Sequence, residues 1–558
     1  MSRGGRPAIV VAATPTSNGD LHIGHMAGPY LAGDIFSRYL AAAGRDVIYI
    51  TCTDDSQSYV LTTARRQGVA PGRLCAESTS AIQRSMRAMG LSIVGLPPVR
   101  ERYRATVTEY FTALHAAGRL RRRTVRVPYA ARSGYLYDGL LTGVCPACLS
   151  QCSGGVCEGC GHPNHFDELL NPRSALDPDD PVSHRECSIL VLPMEDYRDR
   201  LTAYFDDVGG NWRPRGRQLI QDLLARPLPE VPVSFPGTWG TPAPFAETPG
   251  QILYPWVEAM PAVIYSTWWA AAQRDGARRA AQVDEYWRAG RDAELVYFHG
   301  FDNVYHWGLV DLVMLMAHGD RYVLPAANVC NEFYNLEGQK FSTSRRHLIW
   351  CADLLADTPR DLVRFYLSLT APETEQSNFS VAQLRSVTSH RLVQPWNHLG
   401  EVLATALAGA GTGLLPTSAA GRDRAIALTE KFRRCYELPA FSPARAAEHA
   451  LTHVGRLTGV AASVADQHRG GAAREGGSGA GTGQGDLLLS VRALLSAMAP
   501  IMIDTAAEAA AGGVDVGMTV SPPPAVAPFR LPRLPDPHGG GSRPQKRADL
   551  TALSATPS

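Results

Sequence analysis

The sequence is short of lysine, of net charge and of long apolar runs. Of its 54 basic residues only Lys340, Lys431 and Lys546 are lysines, so a lysine kept inside a motif is expected to serve through its compact, mobile ammonium. The 54 basic residues face 53 acidic ones, a net charge of +1. No global field therefore exists to hold a polyanion, and nucleic-acid binding would need a local patch. No apolar run approaches the ~18 to 20 residues of a membrane span. The start, MSRGGRPAIVVAAT, enters a strand-like run without a signal-peptide pattern. A membrane protein is excluded on this reading, and a cytoplasmic location is expected. At 558 residues the chain is too long for one core, and three or four domains are expected at ~100 to 200 residues each.

What is present is ordered along the chain. An apolar β-branched run at 7–14 precedes a stretch with helical periodicity up to Gly44, and a second strand follows at 46–51. Strand, helix, strand predicts a parallel α/β sheet with ligands at the carboxyl ends of its strands. Short Gly- and Cys-rich pieces from about 120 to 230 read as an insertion. Strand-like segments at 294–300 and 322–329 then resume the sheet, and helical spacing from 379 to about 515 predicts a bundle. The Gly-rich stretch 468–485 is expected to be a disordered loop, and the Pro- and Gly-rich end a disordered tail. The expected boundaries are 1–118 and 231–378 for the two halves of the α/β domain, 119–230 for the insertion, 379–520 for the bundle and 521–558 for the tail.

Two features carry chemistry. His22 and His25, three positions apart at the start of a helix, place their rings on one face. A phosphate there would meet helix N–H groups and two ring donors, with Gly24 keeping the floor low for a purine or ribose. Cys145-x2-Cys148, eight residues, then Cys157-x2-Cys160 is the spacing of a tetrahedral four-thiolate zinc site, closed to substrate and therefore structural. Cys152, between the pairs, could substitute for one ligand. Five of the eleven cysteines lie in this stretch, a metal-site density rather than a disulfide framework.

ATPTSNGDLHIGH and the later KFSTSR resemble the paired HIGH and KMSKS signatures of class I aminoacyl-tRNA synthetases, and their surroundings are most similar to methionyl-tRNA synthetases, as is FDELLNPRS after the knuckle. The resemblance implies a Rossmann-like parallel-sheet catalytic domain split by a zinc-knuckle insertion and followed by an α-helical bundle. It implies His22, His25 and Lys340 as catalytic residues, and His22, Gly24, His25, Gly300, Asp302, Lys340 and Ser342 as the ATP site. Asp302 would take the ribose hydroxyls, and Lys340 would meet charge developing on pyrophosphate. Thr343 stands where the motif's second lysine is usual, with Arg345 and Arg346 beside it. For the amino acid the resemblance implies Asp54 as the acceptor of the α-ammonium, with Ala13 and Trp256 as floor and wall. The side-chain pocket departs from the family: Thr16 and Val263 replace tyrosines, His306 and Trp307 replace a Phe-His pair, and Phe235 replaces an arginine. In the bundle Asn397 matches the anticodon-reading asparagine, but Glu401 replaces an arginine and the stacking tryptophan is missing.

The reading is an ATP-dependent, aminoacyl-adenylate-forming ligase using ATP with Mg2+, an amino acid other than methionine, and structural Zn2+. The expected acceptor is a small molecule such as an N-hydroxylated amine, as in natural-product pathways where a separate cupin follows; tRNA is disfavoured. The alternatives are a divergent genuine methionyl-tRNA synthetase and a non-catalytic regulator or RNA-binding protein.

Overall fold

The computed structural model describes residues 5–275, 281–341, 347–471, 480–518 and 521–537. Its centre is a four-stranded parallel sheet in the order Pro325–Asn331, Glu294–Gly300, Ala8–Ala12, Val47–Ile50. The first strand is buried along its whole length because both faces are covered. Val10 and Ala12 face the core shared with helix Leu31–Ala42 and the bundle, while Ile9 and Val11 face the core shared with helix Pro255–Asp275 and the insertion. This is why the segment reads as a continuous apolar run instead of alternating. Fully burying each of these Val and Ile side chains contributes ~1.5 to 3 kcal/mol, so an aspartate at Val10 would undo the sheet's centre.

The insertion builds an antiparallel sheet of its own, with Arg121–Ala130 and Val182–Pro193 as its long pair. Helices Gln394–Ala406, Ala419–Tyr436, Pro443–Gly471 and Ala480–Met498 form the bundle. A buried ion pair of the α/β domain lies at the junction with it. Arg364 bonds Asp34 at 2.7 Å, with both side chains wholly enclosed. The guanidinium also donates to the carbonyls of Met89, Pro500 and Ile501, and Asp34 accepts from Arg38 and Ser92. Such a charge survives burial because every side of it is bonded.

Two expectations need correction. The ends of the Gly-rich stretch 468–485 are helical, in Pro443–Gly471 and Ala480–Met498; residues 472–479 lie outside the described residues. Glycine costs ~1 kcal/mol in a helix, but packing overrides it here. The buried Gln484 donates to Ala406 O at 2.8 Å, and a Cβ on Gly485 would stand 2.1 Å from Pro416 O, so only glycine allows that approach. The expected tail is not disordered over 521–537 either. Ala525–Val526 pairs with Leu415–Pro416, and Leu534 is buried against the bundle. Residues 538–558 lie outside the described residues.

Candidate functional site

The chain leaves Ala8–Ala12 toward Val47–Ile50 on one side and later returns to Glu294–Gly300 on the other. The connections after these two neighbouring strands therefore diverge, opening a crevice at their carboxyl ends, where open α/β sheets bind ligands. The loop 13–21 leads from the first strand into the crevice, and the Ala13 backbone is fixed by Phe298, Tyr30 and Thr51.

His22 caps the three-residue helix Ile23–His25. Its Nδ1 accepts from the His25 N–H and the His25 Nδ1 accepts from the His22 N–H, both at 3.3 Å. The Ile23 N–H donates to Ile349. The N–H groups of His22, Ile23 and His25, expected to meet a phosphate, are thus already engaged, and the ring edges are what remains to donate. With each Nδ1 accepting, each neutral ring carries its proton on Nε2 and can donate there. Burial, then the neighbouring His25, holds His22 well below its usual pKa. The rings stack at 3.6 Å, and Phe341 stacks on the other face of His22 at 4.7 Å. A Cβ on Gly24 would come within 3.0 Å of both His22 and Phe341, which explains glycine there.

Phe341 is the last described residue before 342–346, so Ser342, Thr343, Arg345 and Arg346 lie outside the described residues. Lys340 is exposed, lies 4.9 Å from the Phe333 ring centroid, and pairs with Glu158 of the cysteine knuckle. Asp302 follows the strand Glu294–Gly300 on a short turn. A Cβ on Gly300 would stand 2.5 Å from its Oδ1, so glycine lets the carboxylate fold back over the strand end. Burial pushes Asp302 up to about 6; Glu158 adds to this and Lys340 opposes it. Lys340 thus adjoins, in sequence, the Phe341 that stacks on His22, and its charge acts on Asp302.

On the amino-acid side, Asp54 bridges Thr16 along the backbone and accepts from Gln57 at 2.7 Å. Burial, followed by the charges of Glu258, Asp55 and Asp138, pushes its carboxyl well up. Trp256 and Val263 lie on one helix, Val263 fully buried. His306 lies flat on Trp256, with centroids 3.9 Å apart and planes 4° apart. Trp307 is buried against Tyr297. Sequence reasoning missed Asp138, which adopts a left-handed conformation, accepts from Tyr254 at 2.7 Å and is pushed by burial to about 7. It also missed Glu158, although a carboxylate inside a Cys-x-x-Cys turn is itself a signal.

The sulfurs of Cys145, Cys148, Cys157 and Cys160 all lie within 4.8 Å of one another. The pairs Cys145–Cys160 and Cys148–Cys157 are 3.8 and 3.6 Å apart, close to the ~3.8 Å edge of a tetrahedron with ~2.3 Å metal–sulfur bonds. The cluster could therefore hold a metal ion. Cys152 stands outside it, on the strand Gln151–Ser153.

A family model described as tRNA synthetases class I (M) matches residues 8–402. This chain belongs to that family. Among its curated relatives, the Methionine--tRNA ligase of Flavobacterium johnsoniae is 30% identical over 400 residues, which are 70% of this chain and 55% of that protein. That of Roseiflexus is 32% identical over 402 residues, covering 70% and 67%. The chain thus spans little more than half the length of several of these relatives. Mycobacterium tuberculosis methionyl-tRNA synthetase bound by methionyl-adenylate shares the fold, with a TM-score of 0.70 and 18% identity over 95% of this chain and 99% of that one. No described helix of this family member is long and apolar enough to cross a membrane.

The bundle helix that carries Asn397 and Glu401 is contacted by the chain's own later segment. Asn397 Nδ2 donates to Leu534 O at 3.0 Å, and Leu534 N donates to Asn397 Oδ1 at 2.9 Å. Trp396 Nε1 donates to Pro532 O at 2.8 Å, and Glu401 lies 3.9 Å from Arg533. The segment 529–534 therefore lies along Gln394–Ala406 like a strap, bonded to the asparagine that the resemblance matched to anticodon reading, while Glu401 stays largely exposed.

Proposed function

We propose that this chain joins ATP and an amino acid as an aminoacyl-adenylate and then passes the acyl group to an acceptor. The observation that supports it most is the crevice itself, where His25, His22 and Phe341 stack with Lys340 one residue from the stack and Asp302 at the adjoining strand end. Asp54 would hold the substrate ammonium and Asp302 the ribose hydroxyls. The carboxylate oxygen attacks the α-phosphorus, the bond to the β-phosphate oxygen breaks, and pyrophosphate leaves with the electron pair. The Nε2–H groups of the histidines and the Lys340 ammonium are suited to meet that charge, because preorganised donors act most where charge develops. Mg2+ bound with ATP would supply further neutralisation of the charge on the leaving pyrophosphate. Zn2+ in the four-thiolate cluster would hold the knuckle.

The acceptor follows from the relatives. Their names, Methionine--tRNA ligase, support tRNA, and this reading takes precedence over the small-molecule acceptor. One observation favours the second reading: the Asn397 amide is tied in both directions to the Leu534 backbone, and a small acceptor, such as an N-hydroxylated amine with a separate cupin acting afterwards, needs nothing from that face. Pyrophosphate exchange into ATP with a panel of amino acids tests activation, and its absence for every amino acid would end the proposal. Charging of purified tRNA then decides between the acceptors.

A further inference from the structure

His306 is 3% exposed, and neither ring nitrogen has a hydrogen-bond partner among the described residues. The stacking explains why. A ring 4° from parallel with Trp256 presents its face to the indole, while the N–H and the lone pair lie in the ring plane and point past it. The neighbouring Tyr305, edge-on to the ring, is already committed to His165, at 2.8 Å. Beyond Asp54, Gln57 Oε1 is likewise buried and unpaired, its amide nitrogen being taken by Asp54. Buried polar groups in folded proteins are nearly always bonded, and the exceptions mark strain, trapped water or a ligand's place. A satisfied structural histidine would have used at least one nitrogen, as His299 does with Asn328 at 2.9 Å.

From these observations we infer that His306 selects the amino acid by hydrogen-bonding its side chain, and that the preferred substrate carries a hydroxyl or a carboxamide rather than the thioether of methionine. Burial holds the imidazole in its neutral form, so it offers one donor and one acceptor. A hydroxyl or carboxamide can both donate and accept. A thioether is a weak acceptor and cannot donate, so it would leave the site's polar groups unpaired. The inference rests on the proposed amino-acid site, and it deepens that reading by naming the substrate class.

The test uses the full chain and two measurements, equilibrium dialysis of serine, threonine, asparagine, glutamine, leucine and methionine without ATP, and pyrophosphate exchange with the same panel. The best hydroxyl or carboxamide amino acid should exceed methionine by at least ~10-fold in both, a conservative figure for a site built to hydrogen-bond its substrate. His306→Phe keeps a ring on Trp256 and should move the ratio toward methionine by ~10-fold or more, whereas His306→Gln, which keeps a donor and an acceptor, should retain the polar preference. Methionine as the best ligand of the unmodified chain, or an unchanged ratio in His306→Phe, would overturn the inference; the latter would mean that trapped water satisfies the ring. Dialysis showing the polar preference without any exchange would support the inference while sinking the activation reading. No binding of any amino acid would remove both.

Discussion

His306 keeps both ring nitrogens unpaired beneath Trp256, whereas the Asn397 amide has donor and acceptor both taken by Leu534. The resemblance assigned a ligand to each. At the first no hydrogen-bonding capacity is used among the described residues; at the second one amide hydrogen and one carbonyl lone pair go to the chain's own backbone. A family position thus predicts the residue's address, and its bonding state says whether the address is vacant.

The comparison can be pressed at sites of both kinds. The largest effect is expected at Asp34 and Arg364, where every buried polar atom is filled. Arg364→Met should cost ~3 to 5 kcal/mol, the scale of stranding a buried partner charge, read from denaturant midpoints; a cost below ~1 kcal/mol would show that Asp34 relaxes to solvent. Asp138 follows. Its carboxyl is raised by burial from 3.8 to about 7, so the folded state binds its proton more tightly than the unfolded chain. Its contribution is fully present below pH ~4 and is lost as pH rises through ~7, by up to ~4 kcal/mol at ~1.4 per pKa unit. Asp138→Asn, which can still accept from Tyr254, should flatten the stability profile over that window. A profile that keeps its slope would place the titration elsewhere.

Lys340→Ala should lower pyrophosphate exchange by at least ~10²-fold with unfolding unchanged, as when one preorganised donor is lost; near-normal exchange would hand the role to Arg345 or Arg346. The smallest effect is expected at the strap. Asn397→Ala should cost ~1 to 3 kcal/mol and expose 521–537 to proteolysis while sparing exchange. If a chain ending at residue 520 binds tRNA no better than the full chain, the strap is a fixed part of the bundle and not a plug.

Local spacing was legible in the sequence. The strand at Glu294–Gly300, the four-cysteine cluster and the histidine pair all follow from residues a few positions apart. The illegible features are long-range: Lys340 meets Glu158 across 182 positions, and Asn397 meets Leu534 across 137. Composition misled in the tail, where proline and glycine suggested disorder. Its signal lies in Phe529, Leu531 and Leu534, apolar side chains of an extended segment that pack against the bundle core. The Gly-rich helix end was missed because helix propensity is local, whereas the contact of Gly485 with Pro416 is not.

The pair between Lys340 and Glu158 ties the cysteine knuckle to the lysine proposed to meet the triphosphate. Glu158 sits between Cys157 and Cys160, so an ion held by those thiolates would also fix the carboxylate, which would compete with a bound triphosphate for the lysine. Thermodynamic linkage then requires reciprocity: stripping the metal should tighten ATP binding, and saturating ATP should loosen the metal by the same factor. Both groups are about half exposed, and exposed pairs contribute only ~0.2 to 1 kcal/mol, so the factor should not exceed ~5. Titration calorimetry of ATP with and without a chelator measures one side of that cycle, and metal release at rising ATP measures the other.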